Sequence, residues 1–200
     1  LVGQDGATHH GVYDLAYLNC IPNMMIYAPH DEVSLRNIMY TAQEGLDHPL
    51  AIRYPRGRGM NIDWEQPFQN IEIGKAQQFK KGSQVAVLVT GTLLHTALAT
   101  AKAYEAVGVY YFGFVKPLDV QMLLEIFAKY EHIITVEEGV EHGGFGSAIT
   151  CLAAKENYTG TIEIMGVPDQ FVEHGNVEEL LQIVRLDENS IHTRLQEILK

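Results

Sequence analysis

The sequence has 200 residues, of which 46% are hydrophobic and 20% are charged, and its formal net charge is −11. A chain of this length and apolar content can bury a sizeable core, which excludes intrinsically disordered, collagen-like and mucin-like proteins. No apolar run approaches the ~20 residues that a membrane-spanning helix needs, so none is predicted.

The acidic residues are concentrated towards the C-terminus. Residues 130–200 hold 4 basic and 13 acidic side chains, a net charge of −9. Such a surface repels a phosphate backbone, so nucleic-acid binding is disfavoured, and we interpret the segment as a solvated acidic face.

The two cysteines bear on the compartment and on the core. Cys20 and Cys151 are too few and too far apart for a disulfide framework, which favours a cytoplasmic protein. We expect both thiols to be small buried groups. The chain begins with Leu1 and shows no signal peptide, so we expect that an initiating methionine was removed or that a longer protein precedes it.

Short apolar runs alternate with helical patterns from the first residues onward, which predicts an α/β fold. A polar, glycine-rich loop opens the chain. It is followed by a predicted helix at 12–19, a strand at 24–27, a helix at 31–45 with Asp31 as N-cap, and a strand at 49–54. Residues 57–70 follow neither period and predict a linker.

Beyond the linker the alternation resumes and is long enough for a complete α/β domain. The predicted strands are 84–89, 109–114, 132–136 and 161–165, and the predicted helices are 93–106, 118–130, 147–156, 177–184 and 190–199. The first part, with two strands and two helices, is too small a sheet to stand alone.

The opening loop is the densest polar cluster of the sequence. It places Asp5, Thr8, His9 and His10 just before a helix. Backbone N–H groups at such a junction favour oxygen-rich ligands, and a histidine there can exchange protons near neutral pH. The alternative, that Thr8 only caps the helix and both histidines are ordinary exposed residues, stays open at this point.

A second candidate follows the strand at 49–54. Arg53 and Arg56 flank Tyr54 and Pro55 there. Ligands of open parallel sheets collect beyond the carboxyl ends of strands, and arginine binds phosphate or carboxylate through two parallel hydrogen bonds. A solvated arginine is the alternative interpretation.

The stretch at 137–147 combines carboxylates, His142 and several glycines. It contains neither the spacing of a zinc motif nor that of a phosphate-binding loop, so no metal or phosphate site is predicted. We interpret it as a strand-to-helix turn whose glycines allow close packing. His174 and Gly175 are likewise predicted to form a turn rather than a ligand site.

Several motifs together resemble one enzyme family. The motifs are DGATHHGVYDLAYLNCIPNM (5–24), APHDE (28–32), IRYPRG (52–57), FVKPLD (114–119), ITVEEG (134–139), GGFGS (143–147) and GVPDQFVEHG (166–175). Their order along the whole chain is similar to that of the 1-deoxy-D-xylulose-5-phosphate synthases, thiamine-diphosphate enzymes with a transketolase-like fold. A generic transketolase matches less closely, and the β subunit of pyruvate dehydrogenase less closely still.

The resemblance implies a fold, a reaction and three site residues. Residues 1–60 would be the remnant of a parallel-sheet pyrimidine-binding domain, 61–72 a linker and 73–200 a complete transketolase C-terminal-type α/β domain. The family, usually homodimeric, joins pyruvate to D-glyceraldehyde 3-phosphate with release of CO2, in isoprenoid, thiamine and pyridoxal synthesis. By this resemblance His9 would act in catalysis, Asp5 would hold substrate hydroxyls and Arg56 would bind the phosphate of the aldehyde.

Other family features are missing. The GDG and asparagine signature for diphosphate and Mg²⁺ does not occur, nor does the glutamate that activates the aminopyrimidine ring. The resemblance therefore covers the C-terminal third, and thiamine diphosphate and Mg²⁺ would be held mainly outside these residues. Gly113 stands where the family commonly has an arginine, so no role of that arginine transfers.

Two alternatives follow. The 200 residues taken alone are a non-catalytic folding and dimerisation module, or they are the C-terminal part of a transketolase, which would use a ketose phosphate as donor.

Overall fold

The computed structural model describes residues 1–60, 62–63 and 65–200 and has an α/β architecture with two sheets. The strands are β1 (Met25–Tyr27), β2 (Leu50–Ile52), β3 (Gln77–Lys80), β4 (Val85–Val89), β5 (Val107–Tyr111), β6 (Phe114–Lys116), β7 (His132–Val140) and β8 (Thr161–Val167). The helices are α1 (Asp14–Asn19), α2 (Glu32–Gln43), α3 (Leu93–Ala101), α4 (Val120–Lys129), α5 (Phe145–Lys155), α6 (Val177–Ile183) and α7 (Glu188–Ile198). The predicted α/β class is confirmed.

The larger sheet has the order β3-β5-β4-β7-β8. Strands β5, β4, β7 and β8 are parallel, with Val87 opposite Val109 on one side and Ile134 on the other. Every residue of β4 and β5 is buried, as expected for parallel strands covered by helices on both faces. Strand β3 pairs antiparallel with β5 and was not predicted, because its exposed, polar sequence QQFK lacks an apolar run.

The smaller sheet combines distant parts of the chain in the order β2-β1-β6. Strand β1 is parallel to β2 and antiparallel to β6, which follows the linker. The single strand predicted at 109–114 is therefore wrong in detail, since β5 ends at Tyr111 and the chain crosses at Gly113 into the other sheet. A Cβ at Gly113 would lie 2.6 Å from the ring of Tyr27, which explains why glycine occupies this position.

An aspartate or asparagine side chain caps the start of four helices, α2, α4, α6 and α7. Asp31 accepts a hydrogen bond from the backbone N–H of Ser34 at 2.7 Å, which confirms it as the N-cap of α2. Asp119 caps α4 in the same way through Met122. The observed helices otherwise start or end up to five residues from their predicted bounds, with α3 shorter than expected. Among the described residues, no helix is long and apolar enough to cross a membrane.

The predicted linker follows the surface of α2 without helix or strand among its described residues. The Arg36 guanidinium donates to the carbonyl of Gln66 at 2.6 Å, and the ring of Phe68 stacks on Tyr40 with centroids 5.0 Å apart. Residues 61 and 64 of this linker lie outside the described residues.

The prediction that both cysteines are buried is wrong. Cys20 and Cys151 are exposed free thiols. Cys20 follows α1, and its thiol donates to the carbonyl of Tyr17 at 2.8 Å. Cys151 lies on α5 between the buried Ile149 and Ala153, so the helical period turns it towards solvent.

Candidate active site

The opening loop presents two of the predicted site residues to solvent. A 3₁₀ turn (Gly3–Asp5) precedes Gly6, and Asp5 and His9 are both exposed. The imidazole Nδ1 of His9 lies 3.0 Å from the hydroxyl oxygen of Thr8. Helix α1 starts later, at Asp14, and no side chain caps it, so the interpretation of Thr8 as its cap is wrong.

Arg56 joins this loop from the end of the smaller sheet. It follows β2, where the backbone N–H of Arg53 still donates to the carbonyl of Tyr27 at 2.8 Å. The Arg56 guanidinium forms an ion pair with the carboxylate of Asp5. The structure therefore brings together two residues that are 51 positions apart in the sequence. Among the described residues, no hydrogen bond connects His9 to either of them.

A C-terminal segment holds the opening loop in place. The backbone N–H of Gly175 donates to the carbonyl of Gly3 at 3.3 Å. His10 is buried, with Nδ1 accepting from the N–H of Val2 at 3.0 Å and Nε2 lying 3.3 Å from the carbonyl of Glu173. Since a carbonyl only accepts, Nε2 carries the proton. His10 is therefore a structural residue, unlike the exposed His9, and 174–175 form a bend as predicted.

Behind the exposed pair lies a buried ion cluster that sequence reasoning missed. The side chain of Arg53 is 11% exposed, and its guanidinium lies 3.6 Å from a carboxylate oxygen of Asp14 and 3.6 Å from one of Glu138. It also donates to the backbone carbonyl of Glu138 at 2.8 Å. Burial raises the pKa of Asp14, and Arg53 opposes that shift. The cluster ties β2 to α1 and β7.

Glu137 closes the glycine-rich turn after β7. Its carboxylate is fully buried and accepts from the backbone N–H groups of Phe145 and Gly146, both at 2.8 Å, at the start of α5. A Cβ on Gly144 would lie 2.3 Å from this carboxylate, which bears out the interpretation of these glycines as close-packing residues. Burial raises the pKa of Glu137 to about 7, although the two N–H donors lower it.

The titration of Glu137 predicts a pH-dependent stability. Between the ordinary pKa of 4.5 and the folded value of about 7, the folded chain holds a proton that the unfolded chain has released. The contribution of Glu137 to the stability of the fold is complete below the ordinary pKa of 4.5. It is lost as the pH rises through the folded-state pKa of about 7. We therefore expect the free energy of unfolding in urea to fall between about pH 5 and pH 8. Glu137→Gln should flatten this slope, whereas the exposed Glu131→Gln should leave it unchanged. An identical slope in Glu137→Gln would contradict the assignment.

Two family models together match almost the whole chain. The family model "Transketolase, pyrimidine binding domain" matches residues 1–60, and "Transketolase, C-terminal domain" matches residues 74–191. The chain therefore belongs to the transketolase family, whose fold it shares.

Individual relatives narrow the similarity from the whole family to one kind of enzyme. The chain is 46% identical over 197 residues to the 1-deoxy-D-xylulose-5-phosphate synthase of Bacteroides fragilis, covering 96% of this chain and 30% of the relative. It is 45% identical over 200 residues to that of Parabacteroides distasonis, covering 98% of this chain and 32% of the relative. The chain thus spans about a third of the length of these relatives.

Two solved structures are similar in fold. A protein described as "Split gene transketolase, inactive beta4 tetramer" superposes with a TM-score of 0.83 and 28% identity, over 96% of this chain and 62% of that one. Transketolase from Campylobacter jejuni superposes with a TM-score of 0.71 and 17% identity, over 98% of this chain and 29% of its own.

Proposed function

We propose that this chain supplies the substrate-binding loops of a 1-deoxy-D-xylulose-5-phosphate synthase, which joins pyruvate to D-glyceraldehyde 3-phosphate and releases CO2. The observation that carries the proposal is the contact between Arg56 and Asp5 at the surface beside the smaller sheet. The relatives of that name, at 45–46% identity, support the same reaction for the parent protein.

Each exposed group has a distinct role in this proposal. The side chain of Arg56 is 63% exposed, so its planar guanidinium is accessible to the phosphate of the aldehyde. Asp5 beside it accepts hydrogen bonds from substrate hydroxyls and keeps the guanidinium oriented. His9 exchanges a proton with the oxygen of the reacting carbonyl. The buried Arg53 and His10 hold the two loops that carry these groups.

The described residues do not by themselves fit thiamine diphosphate. The glycine-rich turn before α5 is the only stretch of the sequence resembling a phosphate loop, and its N–H groups at Phe145 and Gly146 already bind Glu137. The diphosphate and Mg²⁺ would therefore be held mainly by other parts of the parent, while the pyrimidine-binding segment at 1–60 contributes one wall. Thiamine diphosphate, when bound, supplies the nucleophilic carbon of the reaction.

The domain division and the assembly belong to the same proposal. We place the pyrimidine-binding part at 1–60, a linker at 61–72 and the C-terminal domain at 73–200. The family matches at 1–60 and 74–191 support this division. A cytoplasmic homodimer is the assembly we expect of the parent.

A transketolase is the second candidate, because a similar solved structure at 28% identity carries that name. The donor separates the two reactions, since the synthase releases CO2 from pyruvate and a transketolase uses a ketose phosphate. Assay of CO2 release by the parent protein decides between them. A third interpretation is a non-catalytic folding and dimerisation module, and measurable tight binding of thiamine diphosphate and Mg²⁺ by these residues alone in calorimetry would contradict it.

Arg56→Ala in the parent enzyme tests the phosphate-binding role. We expect the KM for D-glyceraldehyde 3-phosphate to rise about tenfold or more, because a charge-assisted hydrogen bond contributes roughly 1.5–3 kcal/mol. The KM for pyruvate, which has no phosphate, should change little. The matched control is Arg58→Ala, which removes an exposed arginine two residues away. An equal loss for both substrates would exclude a phosphate-specific role.

A further inference from the structure

Three potential metal ligands meet where the loop after β1 lies against the start of α3. His30 and Asp31 lie in the loop between β1 and α2, and His95 lies in the first turn of α3. One ligand atom of each residue lies within 4.8 Å of those of the other two. We propose that this His30–Asp31–His95 cluster binds a divalent transition-metal ion of the zinc class and connects the pyrimidine-binding part of the chain to the C-terminal domain.

Asp31 offers one carboxylate oxygen while the other is engaged. Oδ1 accepts from the backbone N–H of Ser34 at 2.7 Å as the cap of α2, and Oδ2 lies 3.1 Å from Nδ1 of His30. Oδ2 and the His30 Nδ1 are therefore close enough to each other for one metal ion to bind both.

His95 is oriented by a hydrogen bond typical of metal-binding histidines. Its Nε2 lies 2.9 Å from the backbone carbonyl of His30. Because a carbonyl can only accept, Nε2 carries the proton, and Nδ1 keeps the lone pair that a metal requires. Ligating histidines generally donate their second ring N–H to a carbonyl or carboxylate, which sets the tautomer and the ring orientation.

His30 supplies the third ligand from a buried position. Its Nδ1 is inaccessible to water, and among the described residues it makes no hydrogen bond of acceptable geometry, despite its closeness to Asp31. The ring is held edge-on by Tyr111 and Phe79, with centroids 4.6 and 5.6 Å away. This nitrogen faces the Asp31 carboxylate at 3.1 Å without a well-aligned hydrogen bond, and a metal ion between the two groups would bind both.

The donor set selects the kind of metal. Two imidazole nitrogens and one carboxylate oxygen suit Zn²⁺, Cu²⁺ or Ni²⁺ better than Mg²⁺, which prefers oxygen ligands. Bonds of ~2 Å require the ligand atoms to approach one another more closely, which small side-chain rotations can provide. Three protein ligands leave a fourth position open. His30 and Asp31 also line a cavity of about 260 Å³.

Metal titration of the full chain tests the proposal. We expect one equivalent of Zn²⁺ to bind in calorimetry, Co²⁺ to give visible absorption bands, and Zn²⁺ to raise the thermal midpoint, since it binds only the folded chain. Mg²⁺ should do none of these. His30→Ala and His95→Ala should each weaken Zn²⁺ binding by about 100-fold or more, because removing a direct ligand costs at least as much as removing a supporting group.

The same Zn²⁺ titration is carried out on a control variant. His48→Ala removes an exposed histidine outside the cluster and should leave the affinity for Zn²⁺ unchanged. Failure of the intact chain to bind one equivalent of Zn²⁺ overturns the proposal, whatever the variants do. Equal affinity in His95→Ala also overturns it, because binding would then lie at another site.

Discussion

Arg53→Ala should lower the free energy of unfolding of this chain by about 3–5 kcal/mol. Breaking a buried ion pair by removing one partner leaves the other charge without compensation, and losses of about this size are typical. Here the loss would leave Asp14 without its guanidinium partner at 3.6 Å, and Glu138, also 3.6 Å from the guanidinium, would keep only its ion pair with the N-terminal ammonium of Leu1. The buried carbonyl of Glu138 would also lose its donor at 2.8 Å.

Urea unfolding of the wild type and the variant at pH 7 measures this loss. Arg58→Ala, which removes an exposed arginine of the same loop, should change the stability by no more than about 0.5 kcal/mol. Adding Asp14→Asn to Arg53→Ala should recover part of the loss, since one stranded charge disappears. If Arg53→Ala is as stable as Arg58→Ala, the ion cluster does not hold the site loops.

His9→Ala in the parent enzyme should reduce turnover by about 100-fold or more. General acid–base catalysis by a positioned side chain contributes typically 10²–10⁴-fold. His9 is exposed on the loop that also carries Asp5, so its removal should affect the reaction without disturbing the core. The fold of the variant should be intact, whereas His10→Ala should destabilise the chain because His10 is buried between Val2 and Glu173.

Steady-state kinetics with saturating pyruvate and aldehyde phosphate, together with a urea unfolding curve, distinguish these effects. We expect kcat of His9→Ala to fall while its unfolding midpoint stays near that of the wild type. His48→Ala is the matched control, as it removes another exposed histidine. Unchanged turnover in His9→Ala would return this residue to the interpretation of an ordinary exposed histidine.

The sequence predicted the alternation of strands and helices best where the strands are buried. Strand β4 is buried along its whole length and was predicted from an uninterrupted apolar run to within one residue. The short exposed β3 was missed for the opposite reason, because solvent-facing edge strands carry no apolar signal. Both cysteines were placed in the core from residue type alone, although Cys151 occupies the outer face of α5.

The candidate site shows the same division. Residue type indicated the opening loop and the stretch at 53–56 as candidates, and the family resemblance selected Asp5, His9 and Arg56 within them. The structure places Asp5 against Arg56. The sequence does not distinguish Arg53 from Arg56 as a candidate, whereas in the structure Arg53 is the buried cation of a cluster. Glu138, a carboxylate within two residues of the buried stretch 133–136, is the sequence signal that could have pointed to this cluster.

The amino-acid sequence by itself determined the α/β class and the break in periodicity at 57–70. These depend on local patterning and on side-chain chemistry, which the linear order contains. Only the tertiary structure decided that the chain leaves the larger sheet at Gly113, and that β6 completes the sheet of β1 and β2. It also decided that His30, Asp31 and His95 meet. Each of these depends on contacts between residues far apart in the chain, and no local period records such contacts.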